Sequence, residues 1–374
     1  MPTSPLPPSP ASSPAPDRRR ARPPGAGRGL AAVCAAVLAA AVLAPGAAVG
    51  GTAAQDGAGS GGAEVTPAAI DTVVQEYREA RGVPGVAVAV TRGGRTVHAA
   101  GYGTTPSGEA VTADTPMAVA SVSKSFTAAA VLQLVEAGEV DLDRPVAAYL
   151  PEFRMADPRA SRITVRQLLD QTSGMSDTTF PAFTREQPDT LREAVAGMRT
   201  GRLAADPGAR HEYHNPNFQV AARLVEVVAD RPFAEQLTAQ IFDPLGMDRS
   251  TTADTERDLP PDARGHLRIL GRPVALPEPP AFGNGSGGVI STASDMAAWL
   301  IAQNSGGRGP GGARIASPQT IALMHTPSPN SGSYALGWST GETPRARPSS
   351  STAGTCSPPR PTRRCCPPPA TVSR

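Results

Sequence analysis

Ile70, Val73, Val74 and Tyr77 recur at helical spacing, which predicts an amphipathic helix over 67–81. Val86, Val88 and Val90 then alternate along one strand. Gly93-Gly94 marks a tight turn, and 96–101 reads as a second strand paired with the first. The run 124–136 is apolar nearly all round, with Ala128, Ala129, Ala130, Val131, Leu132, Leu134 and Val135. A helix with no polar face belongs in the middle of a core. Further helical patterns cover 165–170 behind a Thr164 cap, about 190–198, 218–230 and 233–241. Another covers 292–303, opened by Ser291 or Thr292, and Ser317-Pro318 starts a last one. Residues 334–339 read as a strand entering a sheet. Strands at the two ends with helices between predict an α+β fold. Its antiparallel sheet is built from both chain ends and flanked by helices, with a helical subdomain beside it. No internal repeat is visible.

Length changes this picture little: 374 residues hold one large core or two packed subdomains. Much of the excess of Gly (38) and Pro (41) lies at the two ends. Residues 1–16 are rich in Pro, Ser and Ala and are expected to be disordered. Arg18, Arg19, Arg20, Arg22 and Arg28 precede an apolar run over 30–43, the layout of a secretory leader. The expected location is therefore extracytoplasmic, and an uncleaved leader would hold the chain at a membrane. A Gly/Ala linker reaches residue 62. The predicted organisation is a leader and linker over 1–62, a folded domain over 63–342 and an aberrant disordered tail over 343–374. A formal net charge of +2 with scattered arginines excludes a nucleic-acid stripe. The cysteines, Cys34, Cys356, Cys365 and Cys366, all fall outside 35–355, so the folded domain has no disulfide framework. A monomer is expected.

Charge becomes informative at one point. Lysine and arginine together number 35, and Lys124 is the only lysine. A buried amine can lose its proton near neutral pH; a guanidinium cannot. Lys124 stands three residues after Ser121, at the start of the apolar helix, so the two side chains share a face. A serine hydroxyl becomes a nucleophile when a neighbouring base takes its proton. An amine in an apolar, cation-rich pocket can be that base. The S-x-x-K pattern alone is weak. A second candidate element is Tyr213-His214-Asn215, after the turn Asp206-Pro207-Gly208. Tyr213 can pass protons and Asn215 can orient a substrate carbonyl, although a tyrosine in a surface loop is the plainer reading of such a pattern. His211 and His214 lack a third clustered ligand, so no metal site is expected; His98, His266 and His325 are expected to be structural.

With these motifs the chain resembles the serine hydrolases related to class C β-lactamases, D-alanyl-D-alanine peptidases and esterases. Ala120-Ser-Val-Ser-Lys-Ser-Phe-Thr127 is similar to the family's nucleophile motif. Gly138-Glu-Val-Asp-Leu-Asp143 and Tyr149-Leu-Pro-Glu-Phe153 resemble the segment that follows it. Leu168-Leu-Asp-Gln-Thr-Ser-Gly-Met175 resembles L-L-x-H-T-S-G-L, with Gln171 where histidine is usual. Pro207-Gly208 with Tyr213-His214-Asn215 resembles P-G-x(4)-Y-S-N. Pro244-Leu-Gly-Met247 and Gly287-Gly-Val-Ile-Ser-Thr292 with Asp295 are similar to its later landmarks. The likeness covers about 65–340. It implies that Ser121 is acylated, that Lys124 is or tunes its base, that Tyr213 shuttles the proton to the leaving group, and that Asn215 holds the substrate. The Ser121 N–H would be one oxyanion donor. No cofactor is implied. The implied substrate is a β-lactam, a cell-wall D-Ala-D-Ala peptide or an ester. The resemblance disfavours an α/β-hydrolase esterase as the remaining reading.

The resemblance fails after Gly337-Trp338 and Glu342, where a K-T-G or H-x-G strand is due. Residues 344–374 contain no acid, and their only branched aliphatic is Val372, so no strand is expected from them. A genuine disordered tail is one reading, and a shifted reading frame would account for this as well. Each cysteine codon would then yield Leu, Met or Val, and 350–354 would permit His-x-Gly. The alternative expectation is an inactive truncated product or a non-catalytic penicillin- or peptidoglycan-binding relic.

Overall fold

The computed structural model describes residues 66–181, 187–263, 265–275, 281–342, 348–352 and 370–373. The chain divides into two compact units, Met1–Gly62 and Ala63–Arg374, and every described residue falls in the second. The expected leader and linker lie outside the described residues. Among the described residues no helix is long and apolar enough to cross a membrane.

Helix α1, Pro67–Arg81, begins as the pattern predicts: Thr66 accepts the Ala69 N–H and Pro67 fills the first turn. Its apolar face is thinner than the pattern suggests. Ile70 is buried, but Val73 is 65% exposed and Tyr77 46%. Strands β1, Gly85–Arg92, and β2, Arg95–Gly103, form an antiparallel hairpin with a bulge between Val90 and Thr91. The two-residue strand β3, Met117–Ala118, leads to helix α2, Ser123–Glu136. Every residue of α2 from Ser123 to Leu132 is buried, as expected of a helix without a polar face. Phe126 stacks on Trp299 at 4.1 Å between ring centres and meets Phe242 edge-on at 5.7 Å.

Helix α3, Val165–Leu169, carries a full capping box: Thr164 accepts the Gln167 N–H and the Gln167 side chain accepts the Thr164 N–H. Thr164→Ala should lower stability by about 1 kcal/mol, read by urea denaturation; an unchanged midpoint would show the cap to be idle. Helix α4, Leu191–Gly197, is capped by Thr190, and α5, Pro216–Ala229, begins two residues before the predicted start. The predicted single helix over 233–241 is instead α6, Phe233–Leu237, then a π-helical turn, Thr238–Phe242, then α7, Asp243–Leu245. Pro244 has no N–H for the Gln240 carbonyl. That carbonyl accepts the Gln133 side-chain amide at 3.0 Å instead.

Four short strands follow that periodicity does not reveal: β4, Thr251–Thr252, the hairpin β5, His266–Ile269, with β6, Arg272–Ala275, and β7, Val289–Ser291. β7 lies between β3 and β4. Helix α8, Ala293–Asn304, takes Thr292 rather than Ser291 as its cap, and α9, Pro318–Met324, takes Ser317. The expected strand over 334–339 is a turn. Gly337 has φ +77°, Ala335 N–H donates to Trp338 O at 2.7 Å, and the strand β8 starts only at Ser339, running Ser339–Glu342.

The expectation of a strandless tail fails in two places. Pro348–Thr352 (β9) and Ala370–Ser373 (β10) are strands, and β8–β9–β10 form an antiparallel sheet. Backbone hydrogen bonding builds a ladder whose two tail strands include a single branched aliphatic residue, Val372. Antiparallel strands come from both ends of the domain, β1–β2 and β8–β10, with helices between them, as the expected α+β fold requires. Among the described residues no ladder joins β1 or β2 to β8–β10; helix α8 packs against β1, β2 and β10. The main core lies around α2 and α5 and includes Phe126, Phe218, Trp299 and Trp338.

Candidate active site

Ala120 has φ +48°, a left-handed conformation that costs a non-glycine residue about 1–2 kcal/mol. Ser121 follows in a 3-10 turn, Ala120–Val122, that runs directly into α2. The serine and the lysine therefore share the positive end of one helix. Lys124 Nζ lies 3.1 Å from Ser121 Oγ and donates to the Ser286 carbonyl at 2.7 Å. Tyr213 OH donates to Ser121 Oγ at 2.8 Å. The Lys124 amine also sits 4.9 Å from the Tyr213 ring centre and 5.8 Å from that of Phe218.

Lys124 is 1% exposed, and burial pushes its amine below the ordinary lysine value of 10.5; the Tyr213 phenol works in the opposite direction. Burial thus does what the sequence pattern assigned jointly to burial and neighbouring cations.

The segment after Phe282 wraps α2. Thr127 Oγ1 donates to the Gly285 carbonyl at 2.7 Å, and Ser123 Oγ accepts the Val289 N–H at 2.9 Å. Gly285 has φ +76°, and a Cβ there would stand 2.5 Å from the Phe218 carbonyl, so only glycine threads this gap to α5. Ser286, whose carbonyl holds the amine, is a residue that motif matching does not single out. The glycine density over 283–288 is the signal that could have found it, because it marks close backbone approach.

Ser121, Lys124 and Tyr213 are thus brought together from two distant stretches of chain. Asn215 is the N-cap residue of α5, two residues beyond Tyr213. Its Oδ1 is buried and makes no hydrogen bond among the described residues, which leaves an acceptor unspent. The two histidines nearby have separate partners. His214 is fully buried, with Nδ1 2.9 Å from the Asp177 carboxylate, and His211 lies against the Tyr334 ring at 5.3 Å. Tyr334 also meets the Tyr213 ring edge-on at 6.2 Å, and burial pushes its own phenol well above the usual value. Among the remaining histidines, His98 bonds Tyr102 at 2.8 Å and pairs with Asp71.

A serine held by a buried amine and a phenol, at the head of the central helix of an α+β domain, defines a protein of the β-lactamase/transpeptidase-like fold. A model of the Beta-lactamase family matches residues 70–357, and the chain belongs to that family. The match passes the end of the motif likeness at about 340 and enters the tail. Penicillin-binding protein 4 of Amycolatopsis lactamdurans is 33% identical over 252 residues, covering 65% of this chain and 65% of that protein. Protein flp of Staphylococcus aureus (strain MW2) is 27% identical over 236 residues, covering 62% of this chain and 47% of that one. The chain thus spans about half to two thirds of the length of the curated relatives it matches. The octameric penicillin-binding protein homologue from Pyrococcus abyssi superposes with a TM-score of 0.64 at 25% identity, covering 77% of this chain and 68% of that one. A D-stereospecific amidohydrolase from Streptomyces sp. superposes with a TM-score of 0.60 at 28% identity, covering 76% and 87%.

Proposed function

We propose that this protein is an exported serine acyl hydrolase that works through an acyl-enzyme at Ser121. The observation that carries the reading is the contact of Ser121 Oγ with both the buried Lys124 amine and the Tyr213 phenol. The neutral amine takes the Ser121 proton as Oγ attacks the substrate carbonyl. The carbon–oxygen bond forms, the carbonyl oxygen takes up negative charge, and the Ser121 N–H helps to hold it. Tyr213 donates a proton to the departing nitrogen or oxygen, and the scissile bond breaks. Water then attacks the ester, giving its proton to the Tyr213 phenolate, and as the acyl carbon–Oγ bond breaks the Lys124 ammonium returns its proton to Ser121 Oγ. The unspent Asn215 oxygen supports a role in accepting a substrate N–H.

The leader-like arginines and apolar run support export. The substrate class is an activated or strained acyl group: a β-lactam, a D-configured amide or peptide, or an ester. The likeness to penicillin-binding proteins supports the first, and the likeness to the D-stereospecific amidohydrolase supports the second.

The test is mass spectrometry of the intact chain after exposure to a β-lactam and to an activated ester. An adduct located on Ser121 is expected. No adduct with either probe would favour the non-catalytic reading. Tyr213→Phe removes one hydroxyl and little packing. It should slow turnover by roughly a hundredfold, the scale of a general acid–base group. Equal steady-state rates for the variant and the wild type would remove Tyr213 from the mechanism.

A further inference from the structure

Gln171 lies two residues beyond the end of α3 and combines two unusual properties. Its backbone has φ +63°, which is costly for a residue with a side chain, and its side chain is fully buried at 0% exposure. Strain of this kind persists only where the surroundings over-determine it. Here the surroundings are the segment that carries Tyr213. The Gln171 Oε1 accepts the His214 N–H at 3.0 Å and the Asn217 side-chain amide at 2.5 Å. Its backbone carbonyl accepts the Glu212 N–H at 2.8 Å. One residue therefore brackets 212–217, with Tyr213 and Asn215 inside the bracket. The next residue extends the seam, since the Thr172 carbonyl accepts the Gly208 N–H at 2.7 Å.

We propose that Gln171 is the positioning residue that holds the Tyr213 phenol on Ser121 Oγ, through the two bonds its amide oxygen accepts from the Tyr213 segment. Its hydrogen bonds go to His214, Asn217 and Glu212 rather than to Ser121 or Lys124, so it acts through the chain on either side of the phenol. The inference rests on the acyl-transfer reading of the site. Its force comes from geometry. Tyr213 must stay within hydrogen-bond reach of Oγ, and a displacement of about 1 Å can cost on the order of a hundredfold in rate. A carboxamide neither gains nor loses a proton across the working pH range, so the bracket stays the same while the amine and phenol exchange protons.

Gln171→Met keeps the length of the side chain and removes the acceptor. With an activated ester, its kcat/KM should fall by about 10- to 100-fold in the otherwise wild-type chain. In a chain already carrying Tyr213→Phe, the same change should cost less than about threefold, because the group it positions is gone. Equal losses in the two backgrounds would overturn the proposal, since a merely structural defect ignores the hydroxyl of Tyr213. Should Gln171→Met lack a cooperative thermal transition, Asn217→Ser takes its place in the same pair of backgrounds. That change deletes one donor and leaves Gln171 intact, so a loss of about 3- to 10-fold confined to the Tyr213 background is expected, and equal losses in both would again overturn it. If the wild-type chain forms no adduct at Ser121, the acyl-transfer reading fails by itself. A crystal structure of Gln171→Met then decides the positioning alone. A Tyr213 hydroxyl moved by more than about 1 Å from Ser121 Oγ supports it, and a preserved 2.8 Å contact overturns it.

Discussion

Lys124→Met should abolish acylation of Ser121 while leaving the chain as stable as before or more so. The rate loss is on the order of 10²–10⁴-fold, the contribution of a general base. Methionine matches the length of lysine and suits an apolar site, and Lys124 is 1% exposed. The fold lowers the amine's pKa, so between the folded value and 10.5 the unfolded chain binds the proton more tightly. Wild-type stability therefore rises with pH across that window, and Lys124→Met should show no such rise. Against this stands the Ser286 carbonyl, which loses its bond, a cost of about 1–3 kcal/mol if no water replaces it. Two measurements check the account: adduct formation by mass spectrometry, and melting temperature of both chains from pH 7 to pH 10. Wild-type kcat/KM should also climb with pH to a plateau whose midpoint lies below 10.5. Lys124→Arg should be as inactive as the methionine variant, because a guanidinium keeps its proton. Full activity in either variant would remove the amine from the base role.

Gly337→Ala should destabilise the domain and disable the site together. Gly337 has φ +77°, where an alanine pays about 1–2 kcal/mol of backbone strain. The added Cβ would also stand 2.7 Å from the carbonyl oxygen of Lys124 and 3.1 Å from its carbonyl carbon. Relief would require moving either the turn or the first turn of α2, and overpacking of this sort costs about 1–3 kcal/mol. A total loss of about 2–5 kcal/mol follows, large beside a typical stability of about 5–15 kcal/mol. The Gly337 N–H donates to the Leu169 carbonyl at 3.0 Å, so a shift there also disturbs the end of α3. Urea denaturation gives the stability, and acylation measured well below the melting temperature separates the local effect from unfolding. A stable and fully active alanine variant would show that the turn yields freely.

Much of the helical framework is legible in the order of residues alone. Caps mark α1, α3 and α8, because Thr66, Thr164 and Thr292 each announce a helix with a side-chain acceptor, while α2 is marked by its unbroken apolar run alone. Ser121 and Lys124 are visible as a pair because both lie within a single turn, where sequence spacing is spatial spacing. Tyr213 is a weak candidate in its own segment, and only resemblance couples it to Ser121, since 92 residues separate the two. Ser286 and Gln171 hide for different reasons. Ser286 contributes a backbone carbonyl, which every residue type has. Gln171 stands out in the chain only as a departure from the usual histidine, and its bonds to His214 and Asn217 depend on tertiary placement. The tail is a failure of another kind. Its composition argues against a buried strand, yet the β8–β9–β10 ladder is a matter of backbone pairing and register.

The solitary lysine has a use outside catalysis. With Lys124 sealed beneath the core, no lysine amine is left on the surface of this chain. Reductive methylation of the native protein then meets no exposed lysine amine. A methylated Lys124 is a record that the head of α2 has opened to solvent. Counting that modification over time converts the local opening of one helix into a chemical clock, with no label or engineered probe added.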